Sequence, residues 1–114
     1  MKRYVVVHDG SEIGIFHILS LLEEQDMTWG DYGDLAWAER KLNMELNVPS
    51  YPQNVDTEAW FTDKGAERFQ DAIDILDILV GEYLSGFDYY FCELDSEPKK
   101  EVMYKDEYQI IYYK

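Results

Sequence analysis

The chain has 114 residues, with 24 Asp or Glu against 10 Lys or Arg, a formal net charge of −14. So large a charge repels nucleic acid and anionic membrane and attracts basic surfaces, so neither direct nucleic-acid binding nor membrane binding is expected. An apolar fraction of 46% excludes a disordered acidic chain, and the length suits a single compact domain over residues 1–114.

Arg3 to His8 are β-branched, aromatic or basic and end at Asp9-Gly10, which reads as a strand buried on both faces around Val5 to Val7. Ser11 then reads as an N-cap, predicting a helix from Glu12 to about Gln25 with Ile15, Phe16, Leu19 and Leu22 on one face. Asp26 to Gly33, with Trp29 between glycines and acids, reads as a loop. Asp34 is then the expected cap of a second helix, Leu35 to about Leu46, with Leu35, Ala38 and Leu42 inward and Trp37 a core candidate. Asn47 to Thr57 holds two prolines and reads as irregular. Trp60-Phe61 suggests a hydrophobic staple before a cap at Thr62.

Thr62 opens the clearest element, a helix to about Leu84, stopped at Ser85-Gly86. Phe69, Ala72, Ile73, Leu76, Leu79, Val80 and Tyr83 repeat at helical spacing. Phe87 to Leu94, Glu101 to Tyr104 and Tyr108 to Tyr113 then read as strands. The order β-α-α-α-β-β-β predicts an α+β domain, an antiparallel sheet with helices packed mainly on one face. The other face is expected to show tyrosines such as Tyr89 and Tyr113.

The chemistry-bearing residue types are sparse. Gly10-Ser11-Glu12-Ile13-Gly14 lacks the third glycine and the lysine of phosphate-binding loops. His8, His17 and Cys92 lack the spacing of zinc ligands, and no stretch has the carboxylate pattern of a calcium loop. No Ser or Cys stands in an evident nucleophile–base arrangement. No catalytic residue, metal or cofactor is therefore expected. With one cysteine no disulfide can form within the chain, which fits a reducing cytoplasm. The N-terminal apolar run is too short for a signal peptide, and nothing approaches a membrane span.

The acids are the candidate functional element. On the Thr62 helix, Asp63, Glu67, Asp71, Asp74 and Asp77 lie on the side opposite the apolar stripe. Like charges at i, i+4 cost helix stability, and on that helix only Lys64 and Arg68 offset them. A small domain needs a net charge of only ~2–8 for solubility, which favours a basic protein partner. Asp106 and Glu107 extend the acidic set. Trp29 and Tyr89 are candidate anchors, because Tyr and Trp dominate interface hot spots.

In size, acidity and tyrosine content the whole chain resembles the small inhibitors that phages use against bacterial defence enzymes, the anti-CRISPR and anti-restriction proteins. The resemblance is one of character and carries no motif. It implies a non-enzymatic protein of the bacterial cytoplasm whose carboxylates replace phosphates in the basic groove of a nuclease or Cas effector. Small immunity proteins that neutralise nuclease toxins look equally similar, and an acidic housekeeping domain with a ligand pocket under the sheet is the reading of a different class.

Overall fold

The computed structural model describes the backbone of residues 1–8, 10–47, 49–84, 88–93 and 96–114, and within these the side chains of all but residues 8 and 88–93. The elements are β1 (Lys2–His8), β2 (Ser11–Ile13), α1 (Ile15–Glu23), α2 (Trp29–Glu45), β3 (Thr57–Phe61), α3 (Asp63–Tyr83), β4 (Asp88–Glu93), β5 (Val102–Lys105) and β6 (Gln109–Tyr113). The protein is α+β, with an antiparallel sheet and helices against it.

Two strands appear beyond the expected order, each for a local reason. Ser11 does not cap a helix. It pairs with His8, and Gly10 takes φ +78°, so β1 and β2 form a hairpin and α1 starts later, after Gly14. Asp-Gly is a favoured pair for such turns because positive φ is cheap for glycine. The second added strand is β3, where Trp60 and Phe61 form the strand end just before the Thr62 cap; β3 pairs along its length with β6. The expected loop at 26–33 is also shorter than read. Thr28 Oγ accepts from the Asp31 N–H at 3.2 Å, so Thr28 and not Asp34 is the cap, and Trp29 is the first residue of α2.

The pairing registers fix the sheet. Lys2 pairs with Glu93 on one side and Phe61 on the other, while Val6 pairs with Tyr89 and with Ile13. β4 therefore takes one whole edge of β1, and β2 and β3 divide the other. Beyond β3 come β6 and then β5. β1 and β3 meet only at Lys2–Phe61 and then diverge.

The main core lies between sheet and helices: Val6 and Phe61 meet Leu19 and Leu22 of α1, Leu35, Ala38 and Leu42 of α2, and Phe69, Ile73 and Leu76 of α3. Trp60, Ile110 and Tyr112 form a second, smaller cluster. Alternation along the strand explains the split: Trp60 points to the side opposite Phe61. Val5 and Val6 are both fully buried, as a two-sided strand requires. Tyr113 is half-buried, while the side chains of Tyr89, Cys92 and His8 lie outside the described residues, as do Asp9, Ser85-Gly86, Phe87, Leu94 and Asp95.

The N-terminus of α3 is anchored on the turn before β6. Thr62 Oγ accepts from the Gly65 N–H at 3.0 Å and donates to the Glu107 carbonyl at 2.8 Å. A Cβ on Gly65 would sit 2.0 Å from the Tyr108 carbonyl oxygen, so only glycine allows this approach.

Candidate functional site

α2 and α3 run antiparallel, tied by Tyr83 to Asp31, Lys41 to Asp71 and Arg68 to Glu45. The five α3 acids Asp63, Glu67, Asp71, Asp74 and Asp77 are all exposed. They are not an uncompensated row. Lys41, reaching over from α2, grips both Asp71 oxygens at 2.7 and 2.8 Å, and this bond holds the Asp71 carboxyl below its ordinary range. Asp63 meets the N-terminal amine at 3.1 Å, and Lys64 meets Glu107. Among the described residues no cation lies within ion-pair distance of Glu67, Asp74 or Asp77, and Asp74 accepts from the Gln70 amide at 2.7 Å. The first half of α3 thus presents a shallow depression of mixed sign, in which Lys41, Lys64 and Arg68 alternate with Glu67, Asp71 and Asp74.

Asp106 is committed to the turn between β5 and β6. It accepts from the Tyr104 hydroxyl at 2.7 Å and from the N–H groups of Tyr108 and Gln109 at 2.9 and 3.0 Å. Burial works to raise its carboxyl, but these donors outweigh it and hold the group low. Glu107 is held low by Lys64.

The unbalanced charge lies elsewhere. Residues 4–39 hold eight acids and residues 69–98 eight more, with no Lys or Arg in either stretch. The antiparallel pair sets the first half of α2, with Asp31 and Asp34, beside the second half of α3, with Asp77 and Glu82, while Glu39, further along α2, meets Glu23 at the end of α1. Glu23, Glu24 and Asp26, from the end of α1 and the connection after it, belong to the same cation-free stretch. Crowding is visible in the titration of Glu39, pushed up to about 6 by a hydrogen bond shared with Glu23, by burial and by the Glu23 charge. The Tyr83 hydroxyl is likewise raised by its bond to Asp31. No basic residue stands in the last turn of α3, where the helix dipole would favour one.

Large apolar side chains are exposed along the helix pair, Trp29 at this acidic end of α2, Trp37 at its middle and Met44 near its other end. Trp29 is 93% exposed, Trp37 46%, Met44 78%, and Ile78 of α3 62%. Trp37 is therefore not a core residue. It stands opposite Leu35, Ala38 and Leu42, and Lys41 Nζ lies 5.4 Å from its ring centroid. Since Lys41 also grips Asp71, the aromatic face of α2 and the acidic face of α3 form one continuous surface. Trp37 and Met44 escaped the sequence reading, although residues 29, 33, 37, 40 and 44 share one helical face.

A cleft of about 280 Å³ opens where β1 and β3 part, lined by Arg3, Glu12, Phe16, His17, Glu58 and Trp60 among others. Two of its ion pairs are closed, while Lys114, also on the lining, has no ion pair among the described residues. Arg3, nine-tenths buried, meets Glu12 at 2.6 Å, and Lys100 meets Glu58 at 2.8 Å. Burial works to raise Glu58, but bonds from Lys100 and Trp60, with the Arg3 charge, hold it low. No group of three or more His, Cys, Asp or Glu among the described residues is placed to hold a metal, and no described helix is long and apolar enough to cross a membrane. No family model matches the chain, and no curated protein or solved structure gives a significant match.

Proposed function

We propose that the protein is a non-enzymatic inhibitor that occupies the basic groove of a nucleic-acid-binding enzyme, its carboxylates standing where phosphates would lie. The carrying observation is the acidic end of the α2–α3 pair, where two cation-free stretches of sequence adjoin and the exposed Trp29 lies among the acids. Acids give steering and salt-sensitive association, and desolvated aromatics give affinity. A CRISPR–Cas or restriction nuclease of a bacterial cytoplasm is the target class we favour, and a nuclease toxin neutralised by an immunity protein is the same physical reading. In the sheet cleft the Arg3–Glu12 and Lys100–Glu58 pairs are already closed, which leaves those four groups less to gain from a small ligand.

The test is a pull-down from lysates of defence-bearing and toxin-bearing bacteria, washed at low and high salt and read by mass spectrometry. A basic nuclease that releases with salt is expected, with capture lost on reversal of Asp34, Asp74 and Glu82 to Lys. Reversal of Glu67, Asp71 and Asp74 should cost less, because Lys41 already neutralises Asp71. Capture that is indifferent to salt and to both triple reversals would sink the reading.

A further inference from the structure

We infer that the outward face of α2 is a groove for one basic amphipathic helix of the partner. The inference rests on the proposed function and names the element the protein grips. α2 carries large apolar side chains on two opposite faces, the outer one interrupted by Arg40. Leu35, Ala38 and Leu42 face the core, while Trp29, Gly33, Trp37, Arg40 and Met44 follow one another at intervals of four, four, three and four on the other side. That outer line runs about 22 Å along the axis, the length of four turns of a docked helix. Helix-in-groove recognition reads anchors at this spacing.

The glycines add a separate observation. Gly30 and Gly33 lie on the exposed side within the first turns of α2, and a Cβ at either would meet nothing within 4 Å. Each costs helix stability relative to alanine, and no close approach inside the protein requires them. They leave low ground beside Trp29 and Trp37, where another backbone can come near. Exposed helical tryptophans beside small residues give walls and floor.

Charge complementarity selects the occupant. Asp31 and Asp34 share the first turns of α2 with Trp29, the Tyr83 bond to Asp31 brings the end of α3 with Glu82 to the same end of the pair, and Asp74 lies one helical turn from the Asp71 that Lys41 holds beside Trp37. A helix with an apolar stripe and flanking Lys or Arg satisfies both features. A second copy of this chain would bring another −14 to the contact and is disfavoured. An anionic membrane is disfavoured for the same reason.

The probe is a synthetic amphipathic helical peptide with leucine on one face and lysine on the other, set against a scrambled peptide of the same composition. Titration should shift tryptophan emission to the blue as Trp29 and Trp37 leave water, with the scrambled peptide far weaker. Trp37→Ala, and Gly33→Leu, which fills the groove, should each weaken binding at least about tenfold; Met44→Ala should weaken it less. All three positions are exposed, and circular dichroism checks that Gly33→Leu stays folded. If both peptides bind equally, the charge reading stands and the groove falls. If neither binds, both fall. Binding untouched by the α2 variants but lost on reversal of Glu67, Asp71 and Asp74 moves the contact to α3 and overturns the groove. A dimer in sedimentation that Trp37→Ala dissolves makes the occupant a second copy, which also overturns it.

Discussion

The two long helices lie side by side and solve different problems. α3 has one apolar face, and that face is buried: Phe69, Ala72, Ile73, Leu76, Leu79 and Val80 are all in the core. α2 has two, and only one is buried. A helix apolar on both sides usually lies inside a protein; α2 lies at the surface with Trp29, Trp37 and Met44 in water. In α3 the sequence pattern serves the fold. In α2 it serves the fold on one side and is unexplained by the fold on the other.

The sharpest way to break the comparison is to truncate α2 on each face. Leu42→Ala should cost about 2–5 kcal/mol, because it removes a fully buried side chain and leaves a cavity. Met44→Ala, two residues on, should stay within about 0.5 kcal/mol, as exposed substitutions do. Urea titration separates the two. If Met44→Ala is as costly as Leu42→Ala, the outer face is structural and the docking argument loses its premise.

Gly65→Ala tests the anchoring of α3. The added methyl meets a backbone carbonyl, which cannot rotate away, so α3 or the turn before β6 must shift. A loss of about 1–3 kcal/mol is expected, against the slight gain that helix propensity alone would give. A Tm equal to or above that of the parent would show that the approach relaxes freely. Gly33→Ala is the matching test on α2, where the new methyl meets open space. It should raise stability by up to about 1 kcal/mol, so two Gly→Ala changes in neighbouring helices should have opposite signs.

The same contrast explains what could be read from the chain alone. α3 was legible to within a residue or two because its period, its Thr62 cap and its stripe agree. The start of α2 was missed because Trp29, Gly30 and Gly33 look like loop residues when an aromatic is assumed to need burial. β3 was missed because five residues beside a proline-rich stretch carry little signal of their own; pairing with β6 makes them a strand. Asp9-Gly10 did carry a hairpin signal, but Ser11 competed as a helix cap and the registers decide for the hairpin. For the site, the acid count was plain, yet its distribution was not. No spacing rule along α3 reveals that Lys41 of α2 neutralises Asp71, or that the cation-free stretches 4–39 and 69–98 adjoin.

The smallest expected effect probes the crowding of acids within the first of these stretches. Glu39 titrates at about 6, above the ordinary 4.5, because Glu23 shares its hydrogen bond and repels its charge. The folded protein therefore holds this proton more tightly than the unfolded chain does. Stability from this group is fully present below about pH 4.5 and is lost as pH rises to about 6. That is opposite in sign to Asp71, Asp106 and Glu107, whose lowered carboxyls give stability that is lost as pH falls through the acid range. Glu39→Gln keeps a hydrogen bond to Glu23 and removes the repulsion, so its Tm should exceed the parent's at pH 7 and match it at pH 4. The difference should be small, since the pair is largely in water. A constant difference at both pH values would mean that the gain comes from packing or propensity and not from crowded charge. The same proton reports on binding. A basic partner placed beside Glu39 favours its charged form, so association near pH 6 should release protons, and calorimetry in buffers of different ionisation enthalpy would count them. Proton release in the parent that disappears in Glu39→Gln would put the partner's cations beside Glu39 and Glu23, and unchanged release would move them away from that pair.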